Sequence, residues 1–335
     1  MENLSVEVLD HHVPVALAFT SNYFVPAAVC IQSIINSSKI DERFHIICLV
    51  SYEMTDSQKE KLYEFANTTD RIHIDILNMK SYLQNIYINE KYTVAASYRL
   101  LLPDLLPNHD KLIYMDCDMI VRRSFASMYY TLDLKDNYFA AVEETIDAYK
   151  FADFQRIGFE GDQYFNSGFL YMNLRKLRED NMVEELLEAS KETIYKWPDQ
   201  DILNIHCKDH ILKLPPYYNG YWLGWDSLNC FLDKYSKYDW GALVNYGIIH
   251  YAVYKPWKCH YNLIDRYWWK CYEMLPDYLK NEWEKTITIN YLYTYYKLGK
   301  ITILRYMGHF MIWTVRKFNI RYKKLLKHDF ETDNN

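Results

Sequence analysis

Two carboxylates spaced two residues apart, Asp116 and Asp118, interrupt an apolar run that extends from Lys111 to Val121. In an extended segment, residues i and i+2 point the same way. Both side chains could therefore share one divalent ion, and oxygen ligands suit Mg²⁺ or Mn²⁺. Asp is poor strand material and costly to bury unpaired, so the pair must face either water or a cation. The spacing recurs at Asp199-Gln200-Asp201, where Pro198 ahead of the acids also reads as an ordinary helix start with charge that favours the helix dipole. The run Gly247-Ile-Ile-His250-Tyr251 delivers an imidazole at the end of an apolar stretch, a candidate third metal ligand. Lys255, five residues on, is a candidate partner for a phosphate. Arg99 precedes the Asp116 run closely enough to reach a phosphate or a sugar hydroxyl beside it. Taken singly, a core histidine is usually structural and an arginine usually lies on the surface.

The elements that must position these groups follow from the apolar periodicity. Strands are predicted at Val13–Thr20, Phe44–Val50, Ile72–Leu77, Lys111–Asp116 with a second short strand after Asp118, Tyr138–Val142, Asn166–Asn173 and Gly247–Tyr251. Helices are predicted at Ala27–Ile35, at Met54–Phe65 with Thr55 as cap, and at Tyr92–Leu102 closed by Pro103 and Pro107. Two more are expected, one from Leu174 to about Thr193 and one starting at Pro198. Alternating strands and helices argue for an α/β fold with a mostly parallel sheet, which binds ligands at the carboxyl ends of its strands. Gly168 inside a strand suggests close backbone approach to something. The loop Thr20-Ser21-Asn22-Tyr23 has no glycine where a dinucleotide fingerprint needs one. Tyr23 could still stack on a base while Asn22 and the loop backbone hydrogen-bond it, or the loop is an ordinary turn.

The chain has 335 residues, half of them apolar, and a net charge of −6. That charge is unevenly spread, because nine Lys or Arg and no acid lie between Lys297 and His328. From Ile301 to Leu326 the basic residues mix with Phe310, Trp313 and Phe318, which suits a helix lying in the interface of an anionic membrane. A basic helix packed on the acidic body or bound to a partner is the competing reading. Nucleic acid is not expected, since the candidate active face is acidic. The N-terminus lacks an apolar signal region and no window is apolar enough to span a bilayer, so a cytoplasmic protein, peripheral on the inner face of the plasma membrane, is expected. The seven cysteines are scattered without a Cys-x-x-Cys pair, which indicates neither a cysteine zinc site nor a disulfide framework. The sequons at Asn3, Asn36 and Asn67 then have no role. Tyr217, Tyr218, Tyr221, Trp222 and Trp225 cluster just before the His250 strand and are the candidate acceptor wall.

The ordered series Asn22-Tyr23, Arg99, Asp116-x-Asp118, Asn166-Ser-Gly168, Asp199-Gln-Asp201, His250-Tyr and Lys255-Pro-Trp resembles glycosyltransferase family 8 over about residues 13–260. That family includes the galactosyl- and glucosyltransferases of bacterial surface polysaccharides. The resemblance implies a GT-A fold, a Rossmann-like mixed sheet flanked by helices. It implies a catalytic domain at 1–260, with a nucleotide-sugar half at about 13–122 and an acceptor half at about 123–260. A mostly helical basic extension at 261–335 would follow, as the membrane-surface anchor. Carried over residue by residue, it makes Asp116, Asp118 and His250 the ligands of Mn²⁺ or Mg²⁺ on the diphosphate of a UDP-sugar donor. Lys255 would contact phosphate, Tyr23 would stack on uracil, and Thr20, Asn22 and Cys117 would complete the nucleotide-binding set. Arg99, Asn166 and Asp199 would address the donor hexose, and Gln200 sits where the family has a debated nucleophile. The acceptor would be a saccharide, free or lipid-linked, and the transfer would retain configuration. Two positions depart from the family pattern: Thr20 stands where an acid is common, and Ala252-Val253 where a glycine follows the His-Tyr pair. Two other readings remain at this stage. One is a non-catalytic sugar-binding homologue; the other is a phosphohydrolase of the haloacid dehalogenase type, with Asp116 as nucleophile and Asp118 as acid.

Overall fold

Strands form where the apolar runs predict them. In a computed structural model, the described residues are 6–51, 54–80, 82, 94–144, 153–155, 157–221, 231–252, 255–258 and 264–283. The strands are β1 (His12–Phe19), β2 (Arg43–Val50), β3 (Ile72–Asn78), β4 (Lys111–Asp116), β5 (Met119–Ile120), β6 (Phe139–Glu143), β7 (Phe165–Asn173), β8 (Ile211–Lys213) and β9 (Ile249–His250). Seven of them form one sheet in the order β3-β2-β1-β4-β7-β6-β8, and β5 pairs with β9 in a separate ribbon. The first four are mutually parallel. Strand β7 runs antiparallel to both β4 and β6, so the expected mostly parallel sheet is in fact mixed, as the GT-A fold class implies. Strands β1, β2, β4 and β7 are buried along nearly their whole length. This explains their unbroken apolar runs, because a strand covered on both faces has no polar side to alternate with.

The helices are α1 (Phe24–Ser37), α2 (Asp56–Ala66), α3 (Leu102–Leu105), α4 (Ala126–Thr131), α5 (Leu174–Glu179), α6 (Met182–Ala189), α7 (Pro198–His206), α8 (Lys237–Tyr246), α9 (Asp265–Met274) and α10 (Asp277–Lys280). Thr55 caps α2 as expected: its hydroxyl accepts from the Gln58 N–H at 3.2 Å, and the Gln58 side chain accepts from the Thr55 N–H at 3.2 Å. Three expectations need correction. The helix expected before Pro103 is a 3-10 segment, Val94–Leu101, and Pro103 falls in the first turn of α3. Proline is tolerated there because its missing N–H would have no partner in a first turn. The single helix expected from Leu174 to Thr193 is two, broken at Asn181, whose φ of 56° is left-handed. Asparagine is one of the few residues that adopt that conformation readily. Strand β9 spans only two residues, because its partner β5 is equally short.

The chain divides into a unit of residues 1–256 with 261–284 and a second of 257–260 with 285–335. In the first, α9 packs on α1, with the Asn36 side-chain amide 3.7 Å from Cys271 Sγ. Trp268 and Trp269 of α9 are fully buried. The tail read as a membrane anchor, together with Trp222, Trp225 and Val253, lies outside the described residues. No helix among the described residues is long and apolar enough to cross a membrane.

Candidate active site

Strand β4 ends at Asp116, level with Ala18 near the end of β1, so the acids stand at the carboxyl edge of the parallel strands. The chain turns through Cys117 and Asp118 into β5, where Met119 pairs with His250 of β9. The Tyr251 N–H donates to the Asp118 carbonyl at 3.1 Å, which fastens the two motifs together. His250 Nε2 lies 3.6 Å from Asp116 Oδ2 and 3.4 Å from Asp118 Oδ1. One ligand atom from each of the three residues falls within 4.8 Å of the others. Gly168 closes the cradle from β7: a Cβ there would stand 2.4 Å from His250 Cε1 and 2.9 Å from Asp116 Oδ2. The close approach expected at this glycine is thus made to the metal-ligand candidates.

Hydrogen bonds settle which nitrogen of His250 carries its proton. The backbone N–H of Gly168 can only donate, and it does so to Asn166 Oδ1 at 3.0 Å. Asn219 Nδ2 donates to the same oxygen at 2.7 Å, and Asn166 Nδ2 donates to Glu144 Oε1 at 2.7 Å. Asn219 therefore turns its carbonyl toward His250 Nδ1, 2.8 Å away, and the ring nitrogen must be the donor. In the neutral imidazole this leaves Nε2 as a bare lone pair facing Asp118 Oδ1, a buried oxygen with no hydrogen-bond partner among the described residues. Two acceptors at that separation repel unless a cation lies between them. Two carboxylates and an imidazole oriented through its other nitrogen fit Mn²⁺ or Mg²⁺.

The charges around this cradle are arranged in two groups. Burial opposes the charge on Asp118, but the Lys255 ammonium, joined by His250 when its ring is protonated, outweighs it and holds the carboxyl below its ordinary range. Lys255, expected on a phosphate, here pairs its ammonium with Asp118 and donates to the Tyr251 carbonyl at 2.7 Å. Asp116 is raised by burial, which prevails over the nearby Arg99. Arg99 is not on the surface; at 3 % exposure it is a buried hub. It donates to Asp116 Oδ1 at 2.8 Å and to the Ser167 carbonyl at 2.5 Å, and lies 3.3 Å from Asp199 Oδ2.

Helix α7 supplies the rest. Ser167 Oγ donates to Asp199 Oδ2 at 2.9 Å, and the Ser167 N–H donates to Gln200 Oε1 at 3.1 Å. Asp201 holds the helix start, accepting from the N–H groups of Lys196 at 3.0 Å and Trp197 at 2.9 Å and from the Tyr164 hydroxyl at 2.5 Å. Burial pushes the Asp201 carboxyl up to about 6. Within Asp199-Gln-Asp201, it is Asp201 that holds the helix start, while Asp199 and Gln200 face the Ser167 corner of β7.

In the loop after β1, the Thr20 hydroxyl donates to Asn22 Oδ1. Tyr23 is half-buried, and burial pushes its hydroxyl up to about 12, with Lys255 and Asp118 among the charges that act on it. Cys117 is buried between the two acids, and burial pushes its thiol well up. Of the aromatic cluster, Tyr218 stacks on Phe169 of β7 at 5.8 Å between ring centroids. Sequence reasoning missed Tyr114, whose hydroxyl donates to Asp116 Oδ1 at 3.0 Å beneath the Arg99 guanidinium, and it missed Glu144 and Asn219. The only available signal was the Asn-Ser-Gly corner, which they surround.

Residues 14–260 match the family model described as glycosyl transferase family 8. The chain belongs to glycosyltransferase family 8. Over 256 residues it is 31% identical to the lipopolysaccharide 1,2-glucosyltransferase of Escherichia coli, which covers 72% of each chain. It is 28% identical over 261 residues to the glycosyltransferase GlyF of Streptococcus pneumoniae serotype 4, covering 76% of this chain and 60% of that one. The galactosyltransferase LgtC, solved with donor and acceptor sugar analogs, superposes with a TM-score of 0.60 at 21% identity, over 81% of this chain and all of that one. The bifunctional glycosyltransferase WbbM gives a TM-score of 0.68 at 19% identity, over 84% of this chain and 53% of that one. These structures establish the GT-A fold. This family 8 member is accordingly a glycosyltransferase, and the phosphohydrolase reading of Asp116 and Asp118 is set aside.

Proposed function

We propose that this glycosyltransferase moves a hexose, glucose or galactose, from a UDP-sugar to a free or lipid-linked saccharide in lipopolysaccharide or other surface-polysaccharide synthesis. The reaction requires Mn²⁺ or Mg²⁺ and retains the anomeric configuration. The observation that carries the reading is the pair of unshielded acceptors, His250 Nε2 and Asp118 Oδ1, 3.4 Å apart at the carboxyl edge of the sheet. Asp116, Asp118 and His250 would hold the ion, which when bound offsets the charge that builds on the departing diphosphate. Lys255 is a second cation for that charge, available to a phosphate oxygen once Asp118 is otherwise neutralised. Tyr23 offers a face for the base, with Thr20, Asn22 and Cys117 lining the same side. Arg99, Asn166 and Asp199 present one guanidinium, one amide and one carboxylate to sugar hydroxyls. The Gln200 carbonyl oxygen already accepts the Ser167 N–H, and a neutral amide oxygen so engaged is a weak nucleophile. Front-face attack by the acceptor hydroxyl, with Gln200 as a positioning group, is therefore favoured over double displacement. The lipopolysaccharide 1,2-glucosyltransferase relative supports glucose as the sugar moved and the pathway class. The basic tail would hold the enzyme at an anionic membrane surface, where a lipid-linked acceptor would also lie.

The test is UDP release from UDP-glucose and UDP-galactose with and without Mn²⁺, in wild type and Asp118→Ala. The variant is expected to keep its circular dichroism spectrum while losing Mn²⁺-dependent UDP binding and at least about a hundredfold in transfer. Full Mn²⁺-dependent binding in Asp118→Ala would overturn the metal assignment. Tight UDP binding by the wild type without transfer to any saccharide would instead favour the non-catalytic homologue. A glycosyl adduct trapped on Gln200 would reject front-face attack.

A further inference from the structure

Histidines gather at the other end of the parallel strands. His12 opens β1, His45 lies near the start of β2, His73 near the start of β3, and His109 just ahead of β4. Strands β2 and β3 pair with His45 opposite His73, and Asp75, two residues on, shares the face of His73. His45 Nε2 stands 2.8 Å from Asp75 Oδ2, and His73 Nε2 stands 3.6 Å from Asp75 Oδ1. One ligand atom from each residue lies within 4.8 Å of the other two. This cluster is separate from the active site: His45 is level with Pro14 on β1 and Asp116 with Ala18. Those four residues correspond to about 13 Å along the strands.

We propose that His45, His73 and Asp75 form a second divalent-cation site, of the zinc class, that ties β2 to the edge strand β3. Two imidazoles and one carboxylate are a borderline donor set, which selects Zn²⁺ and its neighbours over Mg²⁺. A tetrahedral ion with bonds of about 2.0–2.1 Å places its ligand atoms about 3.3–3.4 Å apart. The observed 2.8 and 3.6 Å, measured to different oxygens of Asp75, lie on either side of that separation, and one ligand atom from each of the three residues falls within 4.8 Å of the others. The site is also built for access. The His45 side chain is 1% exposed and fixed by the sheet, whereas Asp75 is 35% and His73 52% exposed, giving an ion a path and an open coordination position.

The surroundings of His45 give a second, independent argument. Its Nδ1 and both ring nitrogens of His109 are buried without hydrogen-bond partners among the described residues, and the two rings lie 6.1 Å apart. His45 lines a cavity of about 200 Å³ together with His12 and His109. When Nε2 gives its proton up to bind metal, Nδ1 must carry the N–H, and the cavity has room for a water to receive it.

Untagged full-length protein is titrated with Zn²⁺, and with Co²⁺ as a visible-absorption probe of four-coordinate geometry. The wild type is expected to bind an equivalent of either ion that Asp118→Ala retains. His73→Ala and Asp75→Asn are expected to weaken that equivalent at least about tenfold. Because His73 is exposed, His73→Ala should leave Mn²⁺-supported sugar transfer and the circular dichroism spectrum unchanged. Equal Zn²⁺ affinity in wild type and His73→Ala, or loss of all Zn²⁺ uptake in Asp118→Ala, would overturn the proposal. Failure of the transferase reading would leave this titration unaffected.

Discussion

The chemistry of His250 is decided by Asn219, whose own orientation is set by Asn166. The Gly168 N–H orients Asn166, Asn166 orients Asn219, and Asn219 fixes the proton on His250 Nδ1. Asn219 is fully buried and contributes no ligand atom, so its effect should appear in metal affinity. Asn219→Ala frees the imidazole to adopt the other tautomer or rotate. Mn²⁺ affinity, read by the decrease of the free-ion paramagnetic resonance signal, should fall about 10–100-fold. An unchanged affinity would remove Asn219 from the site. The Asp116, Asp118 and His250 candidates were readable because carboxylates and imidazole interrupt apolar strands, where they are costly without a partner. Asn219 follows a proline-aromatic stretch in which one asparagine carries no such signal.

Among the elements, α7 shows how one short sequence does two jobs. Asp201 points inward to hold the helix start, and Asp199 and Gln200 point to the Ser167 corner of β7. The Asp201 carboxyl, pushed by burial from 3.8 to about 6, takes up its proton more readily when folded than when unfolded. The resulting stabilisation is complete below the unfolded value and is lost as pH rises through about 6. Urea unfolding from pH 4 to pH 7 should show the wild type losing on the order of 2 kcal/mol relative to Asp201→Asn, whose amide resembles the neutral acid. Parallel curves for the two proteins would place the pH sensitivity elsewhere. At this scale β1 to β7 and the helices α1, α2 and α7 were legible; the breaks, the 3-10 segment before Pro103, β8, α4 and the helices after α7 were not. Asn181 and Pro103 override the periodicity because backbone geometry at one residue outweighs a summed apolar preference.

For the molecule as a whole, charge asymmetry is the feature with the widest consequence. The basic stretch before His328 is set against an acidic body, and polybasic segments bind anionic headgroups in a salt-dependent way. Sedimentation with vesicles rich in phosphatidylglycerol should be strong at low salt, fall as salt is raised, and disappear on removal of residues 297–335. Equal binding to neutral vesicles, or none to either, would reject the anchor. The same scale separates what each level of information supplied. Sequence alone determined every strand except β8, the Asp-x-Asp turn, the cap at Thr55 and the family-like order of motifs, because apolar period and capping chemistry act over a few residues. The tertiary structure decided that β7 lies antiparallel to β4, that Gly168 meets His250, that Arg99 is a buried hub, and that His45 faces His73 and Asp75. Those meetings depend on strand register and on packing between distant segments, which no local period in the chain encodes.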